Sequence, residues 1–128
     1  MEGRLTQAAR DPAYWFDVWR RAKRWQREIN TALAPWALSH TKYLVLEAAA
    51  RRGPRRSFKQ RELVNATHLT EGAVSQVVGV LEQHGLLERA PHGLVGREWK
   101  VWLTSEGWHV LESVRPVVEA LAATFPED

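Results

Sequence analysis

The stretch Asn65–Thr104, NATHLTEGAVSQVVGVLEQHGLLERAPHGLVGREWKVWLT, decides the fold that we predict for this chain. It opens with a helix signal, because Thr70 can cap a helix and Glu71 follows in the first turn, where the helix dipole favours an acid. Gly85 comes after the last apolar position, where glycine most easily adopts the left-handed conformation that ends a helix. Between Thr70 and Gly85, the helical spacing of four apolar residues predicts one buried stripe, which consists of Val74, Val77, Val78 and Leu81.

After Gly85 the pattern changes from helix to strand. Leu86–Leu87 begins one short strand, and the alternation of Trp99, Val101 and Leu103 predicts a second. The segment Ala90–Gly96 between them is rich in the proline and glycine residues of turns. The predicted order is therefore a short helix, a turn, an amphipathic helix and a β-hairpin. This order is that of a helix-turn-helix followed by a wing, in which the second helix fits the major groove of DNA.

This ordered set of residues resembles the MarR family of winged helix-turn-helix transcriptional regulators. The resemblance is carried by Glu62–Val64, Leu69–Thr70, Ala73–Gln76, Leu81–Glu82, Gly85–Arg89 and Val101–Gly107, and it extends back to about Asn30. It thus covers most of the chain. It implies a mainly α fold with a small β-hairpin wing, a winged helix-turn-helix flanked by N- and C-terminal dimerisation helices. The implied function is a dimeric, sequence-specific DNA-binding regulator, most often a repressor.

A chain of 128 residues is expected to form one domain. We expect an N-terminal dimerisation helix over 11–34, the DNA-binding winged helix over 39–104 and a C-terminal dimerisation helix over 105–125. Asp11, Ser39 and Thr104 are predicted helix caps, since their side chains can accept a bond from a first-turn N–H. Pro116 lacks an N–H and should kink or split the last helix.

The first helix carries a heptad-like seam, the pattern by which one helix packs on another: Trp15, Val18, Ala22, Trp25, Ile29 and Ala32. Tyr14, Phe16 and Trp19 lie off this seam. One interpretation is that all these residues pack inside one subunit, and the other is that one side meets a second copy. The resemblance implies a homodimer, whose interface we expect to contain Trp15, Val18, Trp25, Val117 and Leu121.

Charge is unevenly distributed along the chain. Residues 1–61 carry 14 basic and 5 acidic side chains, whereas residues 62–128 carry 4 basic and 10 acidic ones. Six of the cations lie within Arg51–Arg61, just before the helix-turn-helix. In winged-helix proteins this part approaches the phosphate backbone, so we predict phosphate contacts from Arg55, Arg56, Lys59 and Arg61. The alternative is a solvated basic loop.

The predicted recognition helix departs from the family pattern. Family members usually carry basic residues at the positions of Gln76 and Val80, but this chain has no Lys or Arg between Leu69 and Leu87. Hydrogen bonds to bases remain possible, and glutamine can bond adenine twice; the candidates are Thr70, Ser75 and Gln76. The uncharged helix also motivates the alternative of a winged-helix protein-interaction module with weak or nonspecific DNA binding.

The wing contains the residues that we expect to meet the minor groove. The resemblance aligns Arg97 with the family's minor-groove arginine, but Val95 replaces the aspartate that normally holds it. His92 and Lys100 are candidates for additional phosphate contacts. The resemblance also implies a pocket for a small, frequently aromatic ligand, with Trp15, Trp19, Trp36, His40 and Tyr43 as candidate lining residues. The alternative for each of these five is ordinary core packing.

Several classes of protein are disfavoured by what the sequence lacks. No catalytic nucleophile motif, phosphate-binding loop or metal-ligand spacing is present, so we expect neither an enzyme nor a metal or cofactor. The absence of cysteine excludes a thiol redox switch. No apolar run reaches the roughly 18 residues of a membrane span. We expect a cytoplasmic protein, and the resemblance implies double-stranded DNA as its partner.

Overall fold

The computed structural model describes residues 10–52, 58–91 and 99–124. Within these ranges the chain forms five α-helices, which are α1 (Pro12–Leu33), α2 (His40–Ala50), α3 (Gln60–Thr67), α4 (Glu71–Gln83) and α5 (Ser105–Ala123). The three strands are β1 (Phe58–Lys59), β2 (Leu87–Pro91) and β3 (Trp99–Leu103), and a short 3-10 turn at Ala34–Trp36 follows α1. The predicted mainly α fold with a small β-wing is confirmed.

The predicted helix caps are also confirmed. In each case a side-chain oxygen accepts a hydrogen bond of 2.9–3.1 Å from a backbone N–H two or three residues later, and the capping residues are Asp11, Ser39, Thr70 and Thr104. These bonds satisfy donors that have no partner inside the helix. The caps depend only on local sequence, which is why their positions could be read directly from it.

The sheet contains one more strand than we predicted. Strands β2 and β3 form the expected antiparallel hairpin, in which Leu87 is opposite Leu103 and Pro91 is opposite Trp99. The added strand, β1, pairs with the other edge of β3, so the strand order is β1-β3-β2. The predicted hairpin is confirmed, and β1 was not predicted because a strand of two residues is too short to show an alternating pattern.

The core is a single cluster of apolar side chains to which all five helices and the hairpin contribute. Helix α2 lies at its centre and packs against α1, α3, α4, α5 and β3. Among the described residues, none of the buried ones is polar or charged. The fully buried side chains are Ile29, Leu33, Val45, Leu46, Leu63, Val74, Val78, Leu81, Leu87, Val101, Leu111 and Val114. The stripe predicted for α4 is confirmed except that Val77 is only half-buried.

Pro116 does not split the last helix. It lies inside α5, which runs without interruption from Ser105 to Ala123. The proline is exposed, and so is Glu112, the residue whose carbonyl would have accepted the missing N–H. Water can replace that bond at an exposed position. Of the two outcomes expected for Pro116, a kink or a split, the split does not occur.

The N-terminal half of α1 projects beyond the core of its own chain. Its buried residues, Ile29 and Leu33, both lie near its C-terminal end. The large side chains nearer its start are 39–62% exposed, namely Tyr14, Trp15, Phe16 and Trp19. This finding contradicts the interpretation in which all the aromatic residues of α1 pack inside one subunit. Trp25 is half-buried and packs partly against the core.

Glu47 on α2 links the winged-helix region to α5. Arg115 donates from Nε to Glu47 Oε1 at 3.1 Å and from Nη2 to Oε2 at 2.9 Å, and the Tyr43 hydroxyl donates to Oε1 at 3.1 Å. Burial alone would raise the pKa of Glu47, but the bonds from Arg115, Tyr43 and Arg51 outweigh it and hold the pKa below its ordinary value of 4.5. The pKa of Tyr43 is raised to about 12, mainly by burial of its hydroxyl and secondly by the nearby negative charge of Glu47.

The start of α5 is held closely against the turn that follows α4. Gly85 has a left-handed φ of 77°, and its carbonyl accepts a 2.6 Å bond from Thr104 Oγ1. The Thr104 N–H donates to the Leu86 carbonyl at 3.2 Å. A Cβ at Gly107 would collide with that same Leu86 carbonyl and lie 2.9 Å from Leu103 Cδ2. Only glycine allows this approach.

We predict that Glu47→Gln lowers the free energy of unfolding by on the order of 2 kcal/mol at pH 7, because charge-assisted hydrogen bonds are lost from a half-buried site. A depressed carboxyl pKa stabilises the fold above the ordinary pKa, and this contribution is lost as the pH falls through the folded-state value. Urea unfolding from pH 7 to pH 3.5 should therefore show the difference from wild type shrinking in acid. The exposed Glu119→Gln serves as the control, and a pH-independent difference would contradict the prediction.

We predict that Gly107→Ala and Gly79→Ala change stability in opposite directions. The alanine Cβ at position 107 meets backbone, so the junction must shift at a cost of about 1–3 kcal/mol. At Gly79, inside α4, nothing lies within 4 Å of an added Cβ. Alanine there should stabilise the helix by roughly 0.5–1 kcal/mol. Thermal unfolding of the two variants tests this, and equal effects would show that the contact at Gly107 is unimportant.

Candidate nucleic-acid interface

Helices α3 and α4 form the predicted helix-turn-helix. The turn between them begins at His68, which has a left-handed φ of 60° and donates its N–H to the Val64 carbonyl at 2.9 Å. Leu63 on α3 and three residues of α4 are buried against the core. Because one side of α4 is buried in this way, its opposite side faces outward. This arrangement leaves α4 available as a recognition helix.

The exposed side of α4 carries the predicted base-contacting residues. Ser75 and Gln76 are both exposed, one turn after the start of the helix. Thr70 is exposed as well, but its Oγ1 already accepts the Ala73 N–H at 3.1 Å as the helix cap. Its hydroxyl hydrogen is still able to donate to another acceptor. Glu71, the first residue of α4, lies on the same exposed surface.

An open groove of about 510 Å³ runs between α3, the first turns of α4 and β3. It brings two of the predicted phosphate-contacting cations, Lys59 and Arg61, beside Ser75 on the recognition helix. These residues come from separate parts of the chain and meet only in the fold. The groove is lined by Lys59, Gln60, Arg61, Val64, Glu71, Ser75 and Trp99.

Two cations are register partners beside this groove. Lys59 in β1 is directly opposite Lys100 in β3. Side chains at directly opposite positions of an antiparallel pair lie on the same face, and like charges there are destabilising. Such a pairing becomes favourable when an anion binds between or above the two ammonium groups.

The base of the wing is fixed to the recognition helix by Arg89. Its Nε donates to Glu82 Oε1 on α4 at 2.9 Å, and its guanidinium carbon lies 4.6 Å from the centre of the Trp99 ring on β3. The Trp102 indole also donates to Glu88 Oε1 at 3.0 Å across the hairpin. These contacts join the base of the hairpin to the recognition helix and its two strands to each other. The predicted contacts Arg55, Arg56, His92 and Arg97 lie outside the described residues.

The candidate ligand-pocket residues are spread along α1 and α2. Trp15 and Trp19 are exposed near the start of α1, and Trp36 is exposed just beyond its end. Eighteen residues separate Trp15 from Leu33, the last residue of α1, and correspond to about 27 Å of helix rise. The tryptophans at the two ends of α1 in one chain are therefore too far apart to line one small cavity.

His40 and Tyr43, the other two candidates, are half-buried on α2. His40 Nδ1 is buried and has no hydrogen-bond partner among the described residues. Burial lowers the pKa of His40, so its neutral form is favoured. The Tyr43 hydroxyl is committed to Glu47. Among the described residues, no group of acidic or histidine side chains is arranged to hold a metal ion.

The predicted dimer residues differ in their exposure. Trp15 is 50% exposed, whereas Val18, Trp25, Val117 and Leu121 are half-buried. α1 packs against α5 within one chain, so the two helices that carry these residues lie side by side. On α1, cations lie over the aromatic rings, with Lys23 Nζ 5.7 Å from the centre of the Trp19 ring.

Four residues of this interface were missed by reasoning from sequence. Glu71 was interpreted only as a first-turn acid, and Trp99 only as a strand residue, although both line the groove. The Glu82–Arg89 pair joins positions seven residues apart across a helix end. No periodic pattern identifies such a contact, although the nearby opposite charges are a weak signal. Within the described part of the chain, no helix combines the length and apolar character needed to cross a membrane.

Comparison with known proteins finds similarity to transcriptional regulators of one family. A sequence model of the MarR family matches residues 38–98. An uncharacterised helix-turn-helix transcriptional regulator of Bacillus subtilis, YdcH, is 28% identical over 111 residues, which cover 86% of this chain and 76% of that protein. The family-model match includes α2, α3, α4 and β2, and it ends just before β3.

Solved structures show the same fold. The MarR family regulator Sco3205 of Streptomyces coelicolor, solved in complex with DNA, has a TM-score of 0.77 at 23% identity, covering 98% of this chain and 81% of that one. CouR of Rhodococcus jostii, solved bound to p-coumaroyl-CoA, has a TM-score of 0.74 at 22% identity, covering 93% of this chain and 80% of that one. In sequence over residues 38–98, and in fold over most of its length, the chain is thus similar to transcriptional regulators of the MarR family.

Proposed function

We propose that this protein is a homodimer that binds a specific site on double-stranded DNA and represses transcription there. The observation that carries the proposal is the groove that joins Lys59 and Arg61 to the exposed side of α4. Cations at its edge suit the phosphate backbone, and uncharged donors and acceptors on the helix suit base edges. The DNA complex of Sco3205 supports this use of the fold.

Phosphate binding would be provided by residues around the recognition helix, because α4 itself carries no cation. Lys59 and Lys100 lie opposite each other and would both gain from a nearby phosphate. Arg61 is exposed on the first turn of α3. Arg52 instead forms a 2.8 Å ion pair with Glu62 and Arg51 one with Glu47, so these two have other roles. Arg55, Arg56, His92 and Arg97 remain candidates by resemblance.

Base recognition would be the task of Ser75 and Gln76, with Thr70 as a further donor. The glutamine amide can bond N6 and N7 of adenine at once, and a good bidentate contact discriminates by about 1–3 kcal/mol. Ser75 lines the groove and can bond either a base or a phosphate.

The homodimer is supported by the uncovered aromatic surface of α1. Four large aromatic residues are 39–62% exposed at its start, and such contiguous apolar surfaces commonly mark interfaces. Two recognition helices would then read half-sites about one helical turn apart.

Release by a small aromatic ligand is the remaining part of the proposal, supported by the ligand complex of CouR. A pocket that combined Trp15 and Trp19 with Trp36 would need two chains, because α1 separates them. Ligand binding and dimerisation would then be linked. His40 and Tyr43 would contribute polar groups to the α2 side of such a pocket.

We predict that Arg61→Ala and Gln76→Ala affect DNA binding in different ways. Loss of Arg61 should weaken binding to all duplexes alike and reduce the slope of log K against log salt by about one unit. Loss of Gln76 should reduce the preference for the specific site and leave binding to a shuffled duplex unchanged. The measurement is fluorescence anisotropy across a salt series, with the duplex upstream of the protein's own coding region as first candidate.

Arg10→Ala is the matched control, since it removes an exposed cation to which no part in DNA binding or the dimer is assigned. It should change neither the salt dependence of binding nor the preference for the specific site. Equal binding of all duplexes by the wild type would mean nonspecific DNA binding through the basic residues. No binding at any salt concentration would favour the alternative of a protein-interaction module.

We predict that Trp15→Glu converts the protein from dimer to monomer at concentrations where the wild type is dimeric. Trp15 continues the seam that leads to Ile29, and a charge there would be buried without a partner. Ala13→Glu is the control, because Ala13 is exposed in the first turn of α1 and belongs neither to the seam nor to the aromatic surface. Sedimentation equilibrium measures the mass directly. A wild type that sediments as a monomer would refute the proposed dimer.

A further inference from the structure

We infer that Glu71 sets the base preference at one position of the DNA site by accepting a hydrogen bond from the N4 amino group of cytosine. The inference rests on the proposed DNA-binding function and adds a specificity-determining residue to it. The sequence explains Glu71 only as an acid in the first turn of a helix, where it interacts favourably with the helix dipole. The geometry around it gives the carboxylate a second use.

Glu71 lies where a recognition helix approaches base edges. It is the first residue of α4, directly after the cap Thr70, and it is exposed. In helix-turn-helix proteins the N-terminal residues of the second helix reach the bases. Ser75 is four residues further on, so both side chains lie on the same face of α4, one above the other. They also line the same groove.

The charges around Glu71 determine which part of the DNA its carboxylate can contact. Among the described residues that line the groove, it is the one acid, and Lys59 and Arg61 line the same groove. A phosphate placed against Glu71 would be repelled, whereas one placed against the two cations would be attracted. DNA seated by those cations would therefore present a base edge, rather than its backbone, to Glu71.

The chemistry of the major groove then selects the base. An ionised carboxylate only accepts hydrogen bonds. Guanine presents the acceptors N7 and O6, and thymine presents the acceptor O4 and a methyl group, so neither offers a donor. Adenine presents a donor at N6, but its acceptor N7 is adjacent and repels the carboxylate. Cytosine presents the N4 donor and is the base that suits an acid best.

The other acid of α4 is not available for this role. Glu82 lies near the end of the helix and accepts the 2.9 Å bond from Arg89 that fixes the wing. Glu71 has no comparable side-chain bond within the described part of the chain. An experiment can distinguish a base contact by Glu71 from simple stabilisation of its helix. Glu106 provides the comparison, because it is an acid in the first turn of α5, which is also capped by a threonine. Glu106→Gln therefore matches the loss of a first-turn charge at a site away from the groove.

The test begins with selection of bound duplexes from a randomised library, followed by competition anisotropy on the selected site and its single-base-pair variants. The proteins are the wild type, Glu71→Gln, Glu71→Ala and Glu106→Gln. The wild type should prefer cytosine at one position by about tenfold or more, as a specific side-chain contact to a base edge gives. Glu71→Gln should move that preference to adenine, because an amide both donates to N7 and accepts from N6. Glu71→Ala should lose discrimination at that position alone.

Glu106→Gln should select the same site as the wild type, and thermal unfolding of each variant verifies that it is folded. A site at which Glu71→Gln keeps the wild-type preference at every position would overturn this inference and leave the proposed function standing. Equal weakening of discrimination at all positions by Glu71→Ala would also overturn the inference alone. A wild type that enriches no sequence would overturn the proposed function and this inference with it.

Discussion

The close approach of α5 to the turn after α4 is the constraint on which the arrangement of the molecule depends. Gly107 leaves room for the Leu86 carbonyl, and that carbonyl also accepts the Thr104 N–H. The Thr104 hydroxyl both caps α5, by accepting the Gly107 N–H, and donates to the Gly85 carbonyl. The end of the recognition helix and the beginning of the last helix thus share one hydrogen-bonded junction. Their relative orientation is therefore determined by backbone atoms, which leaves it little freedom to vary.

A second link makes α5 and the winged-helix region behave as one body. Arg115 lies eight residues after Gly107, about 12 Å further along α5. There it forms two bonds to Glu47 at the centre of α2. A helix held at two points cannot rotate about either one alone. Any displacement of α5 in a dimer would consequently be transmitted to α4, and the spacing of two recognition helices would follow from how the two copies pack.

Structural features could be predicted from the sequence when the residues that form them are close together along the chain. The caps and the stripe of α4 were predictable, because Thr70 acts on a backbone N–H three residues away and the stripe repeats within one helix. The Glu47–Arg115 ion pair joins residues 68 positions apart, and no local sequence pattern predicts it. β1 was missed for the opposite reason, since two residues are too few to form a pattern. Trp15 illustrates a third limit, because its apolar character predicts burial, whereas its side chain is 50% exposed in the single chain.

A recognition helix without cations can still discriminate well between DNA sequences, because affinity and discrimination have different physical sources. Phosphate contacts strengthen binding to every sequence equally, so cations on α4 would raise affinity for correct and incorrect sites alike. In this fold Lys59, Lys100 and Arg61 would supply that general attraction from around the helix. Specificity is a difference between affinities, and it grows when wrong partners are repelled. A carboxylate at the start of α4 would repel the acceptor-rich edges of guanine and thymine, so the helix could discriminate between bases while contributing little to nonspecific binding.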